Sequence, residues 1–159
     1  MTVNPLEDPF YYLTNFQQVL AWLQQRYADV LSPQEQAFIE RFGQLPRASQ
    51  ALLVRMVMRK GEHFRLGKLQ YPEIGATALA VQPLLELGWV DDQAPLTLDQ
   101  VFEVLLKGEI LACFGAAIDQ PKAKKAAWLD ALRESFPQPQ TLHQWSPALD
   151  DRLLSLTIM

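Results

Sequence analysis

Helix punctuation constrains this chain more than any other feature. Ser32-Pro33-Gln34-Glu35 puts a serine at an N-cap, a proline at the first helical position and a glutamate at the third, which is a capping box. Thr97-Leu98-Asp99-Gln100 repeats the pattern with glutamine as the closing residue. Gly43, Pro46, Gly61, Pro72, Gly88, Gly108, Gly115 and Pro121 cut the rest into short lengths. A chain divided this way folds as a series of short helices, with room for only a small amount of strand.

The apolar residues between those stops agree. Leu13, Phe16, Val19, Leu20, Leu23, Tyr27, Val30 and Leu31 recur at helical spacing and predict a long amphipathic first helix. Phe38, Ile39, Phe42 and Leu45 give a second helix its buried face, with Gly43 at its end. A third runs from about Ala48 to Lys60, with Leu52, Leu53, Met56 and Val57 inward. The segment His63 to Leu69 has no helical stripe and reads as a short strand. Pro72 and Thr77 open two further helical pieces that stop at Gly88. Trp89-Val90, followed by Asp91-Asp92-Gln93, predicts a strand entering a hairpin. A helix with Val101, Phe102, Val104 and Leu105 follows, then one from Pro121 through Phe136, the linker Pro137-Gln138-Pro139-Gln140, and a last helix capped at Ser146-Pro147. The predicted fold class is mainly α with a small β component. The expected divisions are a helical pair over 1–45, a winged-helix-like element over 46–95, a SAP-like helical module over 96–137, and a linker with the first helix of a further region over 138–159.

With 159 residues, 49% of them hydrophobic, the chain can bury a substantial core. The single cysteine, Cys113, excludes an internal disulfide and fits a reducing compartment. No apolar run approaches the ~20 residues of a membrane span, and MTVNPLEDPF lacks a basic signal-peptide start, so a soluble cytoplasmic protein is expected. The final run DDRLLSLTIM reads either as a terminal helix docked on the core or as the mark of a longer chain, and the second is favoured.

Charge is unevenly spread. Between Arg47 and Tyr71 lie six of the fourteen Lys and Arg residues (Arg47, Arg55, Arg59, Lys60, Arg65 and Lys68) against one carboxylate, Glu62. That window carries +5 and the remainder −9. A basic patch on an anionic chain attracts a polyanion at one place and repels it elsewhere, which points to nucleic acid. Arg55 and Arg59 share a helix side, and Lys60, Arg65 and Lys68 can extend their patch into a groove. The competing interpretation is a solvated face laced with ion pairs, weakened by the scarcity of local acids. Tyr11, Tyr12 and Tyr71 can stack on a base or donate to a phosphate, although such tyrosines are more often half-buried. Lys122, Lys124 and Lys125 crowd the expected first turn of a helix, where cations are unfavourable unless an anion is bound. His63 and His143 fit no metal-ligand spacing, and no phosphate loop, nucleophile elbow or Mg²⁺-binding acidic set is present.

Two stretches carry a family resemblance. YYLTNFQQVLAWLQQRY (11–27) and LLVRMVMRKGEHFRLGKLQYPEI (52–74) resemble the N-terminal half of the Fanconi-associated nuclease family, its bacterial members especially. LTLDQVFEVL and PKAKKAAWLDALRESF are similar to the two helices of a SAP-type DNA-binding motif, although GEILACFGAAIDQ between them exceeds a compact SAP linker. The resemblance implies a structure-specific nuclease that acts on 5′ flaps and branched DNA in interstrand cross-link repair. It implies that this region grips DNA through Tyr11 or Tyr12, Arg55, Lys60, Lys68 and Tyr71. A helical-repeat region and a VRR-NUC domain using Mg²⁺ or Mn²⁺ would complete the protein, with no cofactor in this chain. The expectation is therefore a duplex-, flap- or branched-DNA-binding module of the bacterial nucleoid. The rival is a winged-helix adaptor that meets an acidic protein partner.

Overall fold

The computed structural model describes residues 8–157, and these are mainly helical with three short strands. They form two compact units. The first comprises Met1–Glu62, Leu69–Val90 and Leu156–Met159, as far as these are described, and the second His63–Lys68 and Asp91–Ser155.

The first unit holds α1 (Tyr11–Tyr27), α2 (Pro33–Gln44), α3 (Arg47–Met58) and two short helices, α4 (Thr77–Ala80) and α5 (Gln82–Glu86). Helix α3 is its centre: Leu52, Leu53, Val54 and Met56 are buried, and α1, α4 and α5 all pack on it. Burying each such side chain contributes about 2 kcal/mol. Phe16, Phe42, Phe38 and Trp89 form a chain of ring contacts, with centroids 5.2, 5.9 and 4.7 Å apart in turn. The capping box at Ser32 is made in both directions, Glu35 N–H donating to Ser32 Oγ and Ser32 N–H to Glu35 Oε1. Helix α2 does not stop at Gly43. It ends because Pro46 forces Leu45 out of helical geometry, to φ −70° and ψ 150°. Likewise α3 ends at Met58, so Arg59 is its C-cap and Lys60 lies beyond it, before Gly61 turns the chain at φ +93°. Helix α1 is buried at Tyr12 and Leu13 but open at Val19 and Tyr27, and Val30, expected to continue its stripe, lies past the helix end and is exposed.

The second unit contains β1 (His63–Arg65), a 3-10 turn over Leu66–Lys68, α6 (Leu98–Val104), α7 (Lys107–Phe114), α8 (Lys125–Leu132), α9 (Leu142–Trp145) and most of β3 (Leu153–Leu156). Strand β1 pairs antiparallel with β3, placing His63 opposite Ser155, Phe64 opposite Leu154 and Arg65 opposite Leu153. Its core joins Val101, Phe102, Ile110, Phe114, Trp128 and Trp145. Both buried indoles are satisfied by backbone carbonyls, Trp128 donating to Gln120 and Trp145 to Leu96, at 2.8 and 2.9 Å. The capping box at Thr97 is present as the sequence indicates.

Four sequence expectations are corrected here. The terminal run forms strand β3, not a helix. All four residues of the strand are buried, and a short continuous apolar run has no period that separates strand from helix. The part of that expectation that falls on residues 158–159 lies outside the described residues. The strand β2 (Val90–Asp91) enters no hairpin; the sheet order is β1-β3-β2, so its neighbour comes from the far end of the chain. Helix α8 begins only at Lys125 and ends at Leu132. Ser146 ends a helix and does not cap one, because α9 is opened by a third capping box, Thr141 with Gln144.

Candidate nucleic-acid interface

The cations of the basic window are held in two different ways, each within its own unit. In the first unit, the Arg55 guanidinium lies 4.0 Å from the Tyr12 ring centroid and 4.6 Å from that of Tyr71. Its Nη2 donates to Glu73 Oε2 at 2.9 Å, and the Tyr12 hydroxyl donates to the same oxygen at 2.6 Å. Tyr71 also receives Arg59 Nη1 at its hydroxyl, 3.4 Å away, so Arg55 and Arg59 meet around one aromatic ring. Tyr11 packs edge-on against Tyr12. Arg47 lies 3.9 Å over the Phe10 ring. Lys60 is exposed.

The exposures in that cluster are unequal: the Arg55 side chain keeps 27% of its surface, Glu73 only 7%. The anion is inside and the cation reaches solvent. Burial opposes ionisation of Glu73, but the hydrogen bonds from Tyr12 and Arg55 outweigh it and hold its carboxyl below the usual carboxylate range. Burial, reinforced by the neighbouring Glu73, pushes the Tyr12 phenol above its ordinary value, so it remains a hydrogen-bond donor. The Arg55 Nε–H is buried without a hydrogen-bond partner. The two rings beside the guanidinium set π-electron density close to its positive charge.

In the second unit Arg65 is corrected from a groove cation to a buried structural one. It is 9% exposed, with Nη1 and Nη2 donating to both Glu109 oxygens at 2.5 and 2.8 Å, and Nε to Asp151 at 2.9 Å. The same Asp151 accepts from Gly67 N–H, and Glu109 accepts from the Leu106 N–H at the start of α7. Arg65 thereby ties β1 to a helix start and to the loop before β3. Glu109 is held below the carboxylate range chiefly by the Arg65 hydrogen bonds, against some burial, with Lys68 adding a favourable charge.

The lysines before α8 also separate. Lys125 Nζ donates to the Leu105 carbonyl at 2.7 Å, closing the C-terminal end of α6 with a cation where the helix dipole favours one. Lys122 and Lys124 precede the helix and are exposed, as is Lys68. The acids that neutralise Arg55 and Arg65 all lie outside the basic window: Glu73 by two residues, Glu109 and Asp151 by fold. Glu73 was legible as the acid of Tyr71-Pro72-Glu73 just past the window's edge; nothing local announces Glu109 or Asp151. Among the described residues no group of three or more His, Cys, Asp or Glu stands close enough to hold a metal ion, and no helix is long and apolar enough to cross a membrane.

Residues 10–91 match the family described as FAN1, HTH domain, and residues 95–145 match the Fanconi anemia-associated nuclease SAP domain. A Fanconi-associated nuclease 1 homolog of Pseudomonas aeruginosa is 51% identical over 154 residues, covering 97% of this chain and 28% of that protein. Mouse Fanconi-associated nuclease 1 is 35% identical over 106 residues, covering 64% of this chain and 10% of its own length. The chain superimposes with a TM-score of 0.93 on paFAN1 in a crystal structure bound to 2-nt 5′-flap DNA with a gap, at 51% identity, over 96% of this chain and 28% of that one. A second paFAN1 structure, with a 1-nt flap, gives 0.91. The chain thus spans about a quarter of the bacterial relative.

Proposed function

This chain belongs to the Fanconi-associated nuclease family, and we propose that it is the DNA-holding region of a 5′-flap nuclease whose cutting domain lies in another part of the whole protein. The observation that carries this reading is the 0.93 superposition, at 51% identity, on a relative crystallised with flap DNA. The mechanism is positional. Arg55, Arg59 and Lys60 in the first unit, and Lys68, Lys122 and Lys124 in the second, neutralise backbone phosphates, while Tyr11 and Tyr71 support the strand. Tyr12 and Arg65 are buried and Lys125 closes the Leu105 carbonyl at a helix end, and these three serve the fold. Arginine suits a phosphate through its planar fork and lysine as a point charge. Selectivity comes from DNA shape at the branch, since phosphate contacts fix register without reading sequence. Cutting would need Mg²⁺ or Mn²⁺ in the other part of the protein, since among the residues described here no group of three or more His, Cys, Asp or Glu stands close enough to hold a metal. On this reading the protein works at the bacterial nucleoid, in interstrand cross-link repair.

Anisotropy of a labelled 5′-flap duplex at low salt tests the reading. The parent chain should bind tightly, and charge reversal of Arg55 and Lys68 together should remove most of the affinity. An acidic-protein adaptor would instead bind DNA weakly and without regard to structure. A double variant that binds flap DNA as well as the parent contradicts the assignment.

A further inference from the structure

Glu73 is a strange neighbour for a phosphate-binding arginine, because a carboxylate beside a backbone contact opposes the charge it should meet. Its placement resolves the conflict. The carboxylate is almost wholly buried and faces inward to two donors on one oxygen, while the guanidinium is the member of the pair that reaches solvent. The rings of Tyr12 and Tyr71 hold the same guanidinium, and Tyr12 is itself only 3% exposed. Three side chains from two stretches of one unit therefore fix the orientation of a single cation.

We propose that Glu73 and Tyr12 are positioning residues, which lock the Arg55 guanidinium between the Tyr12 and Tyr71 rings so that its solvent-facing edge is already aligned for a DNA backbone phosphate. This rests on the DNA-binding reading above and adds to it the part played by two buried side chains. A free arginine surrenders its rotamer freedom on meeting a phosphate, whereas Arg55 has surrendered it on folding. Buried Glu73 supplies the lock because its own charge depends on Arg55 and on the Tyr12 hydroxyl, so the three cannot move independently.

The test is a double-mutant cycle on the full 159-residue chain, read by anisotropy of a labelled 5′-flap duplex over a salt series, with circular dichroism to confirm that each variant is folded. Glu73→Gln keeps an acceptor oxygen but removes the charge; Tyr12→Phe removes only one hydroxyl and covers the case in which Glu73→Gln does not fold. Each should weaken binding about tenfold without changing the slope of log K against log salt, because the phosphate is still met but by a less ordered cation. In an Arg55→Gln background both effects should vanish, since the lock then has nothing to hold. A structural role would lower the melting temperature in either background and leave the affinity of folded protein alone. The proposal is overturned if Glu73→Gln or Tyr12→Phe binds as tightly as the parent or more tightly, or if its loss persists without Arg55. Failure of the parent chain to bind at all would overturn the DNA-binding reading too, which separates the two failures.

Discussion

Arg55 and Arg65 stand ten positions apart in the same basic window, and the fold uses them in opposite ways. Arg55 has one carboxylate beneath it, two aromatic rings beside it and an exposed edge. Arg65 has two carboxylates and is 9% exposed. The lesson is that counting cations along a window measures attraction only after the acids brought in by folding have been subtracted. Of the six basic residues between Arg47 and Tyr71, Arg65 is fully neutralised in place, while Arg55 is ordered by its counter-ion yet remains accessible.

The comparison breaks first on stability. Arg65→Gln leaves Glu109 and Asp151 without their cation and should cost about 3 kcal/mol, read as a large drop in the denaturant midpoint. Arg55→Gln should cost about half as much, since only one carboxylate is orphaned. Equal losses would mean that the two arginines are the same kind of residue. Acid sharpens the contrast. Glu109 has a lowered pKa when folded, so its stabilisation is complete above the ordinary glutamate value, about pH 4.3, and is lost as pH falls through the folded value. Acid unfolding of Glu109→Gln should therefore be shallower than that of the parent below about pH 4.3. The smallest effect belongs to Lys125→Met, which removes one cap on the Leu105 carbonyl and should cost about 0.5–1 kcal/mol without weakening flap binding.

Most of the helical architecture is legible in the sequence because caps and stops are local. The Ser32 and Thr97 boxes are written in four consecutive residues and formed as written. Thr141 to Gln144 carries the same signal, but it is easily missed behind the proline-flanked stretch preceding it. Strand β3 is not legible: Leu153-Leu154-Ser155-Leu156 becomes a strand only because β1, some ninety residues earlier, offers it an edge. The candidate site divides along the same line. Tyr12, Arg55 and Tyr71 carry recognisable chemistry and do come together, whereas the burial of Arg65 depends on acids supplied by α7 and by the loop before β3.

The most direct measurement of the central claim compares the salt dependence of flap-DNA binding for two variants that each lose one positive charge, Arg55→Gln and Lys125→Met. If Arg55 meets a phosphate and Lys125 serves a helix end, Arg55→Gln lowers the slope of log K against log salt by about 0.9 while Lys125→Met keeps the parent slope. Equal slopes in the two variants would mean that only net charge matters, and the assignment of phosphate contacts to particular side chains would be contradicted.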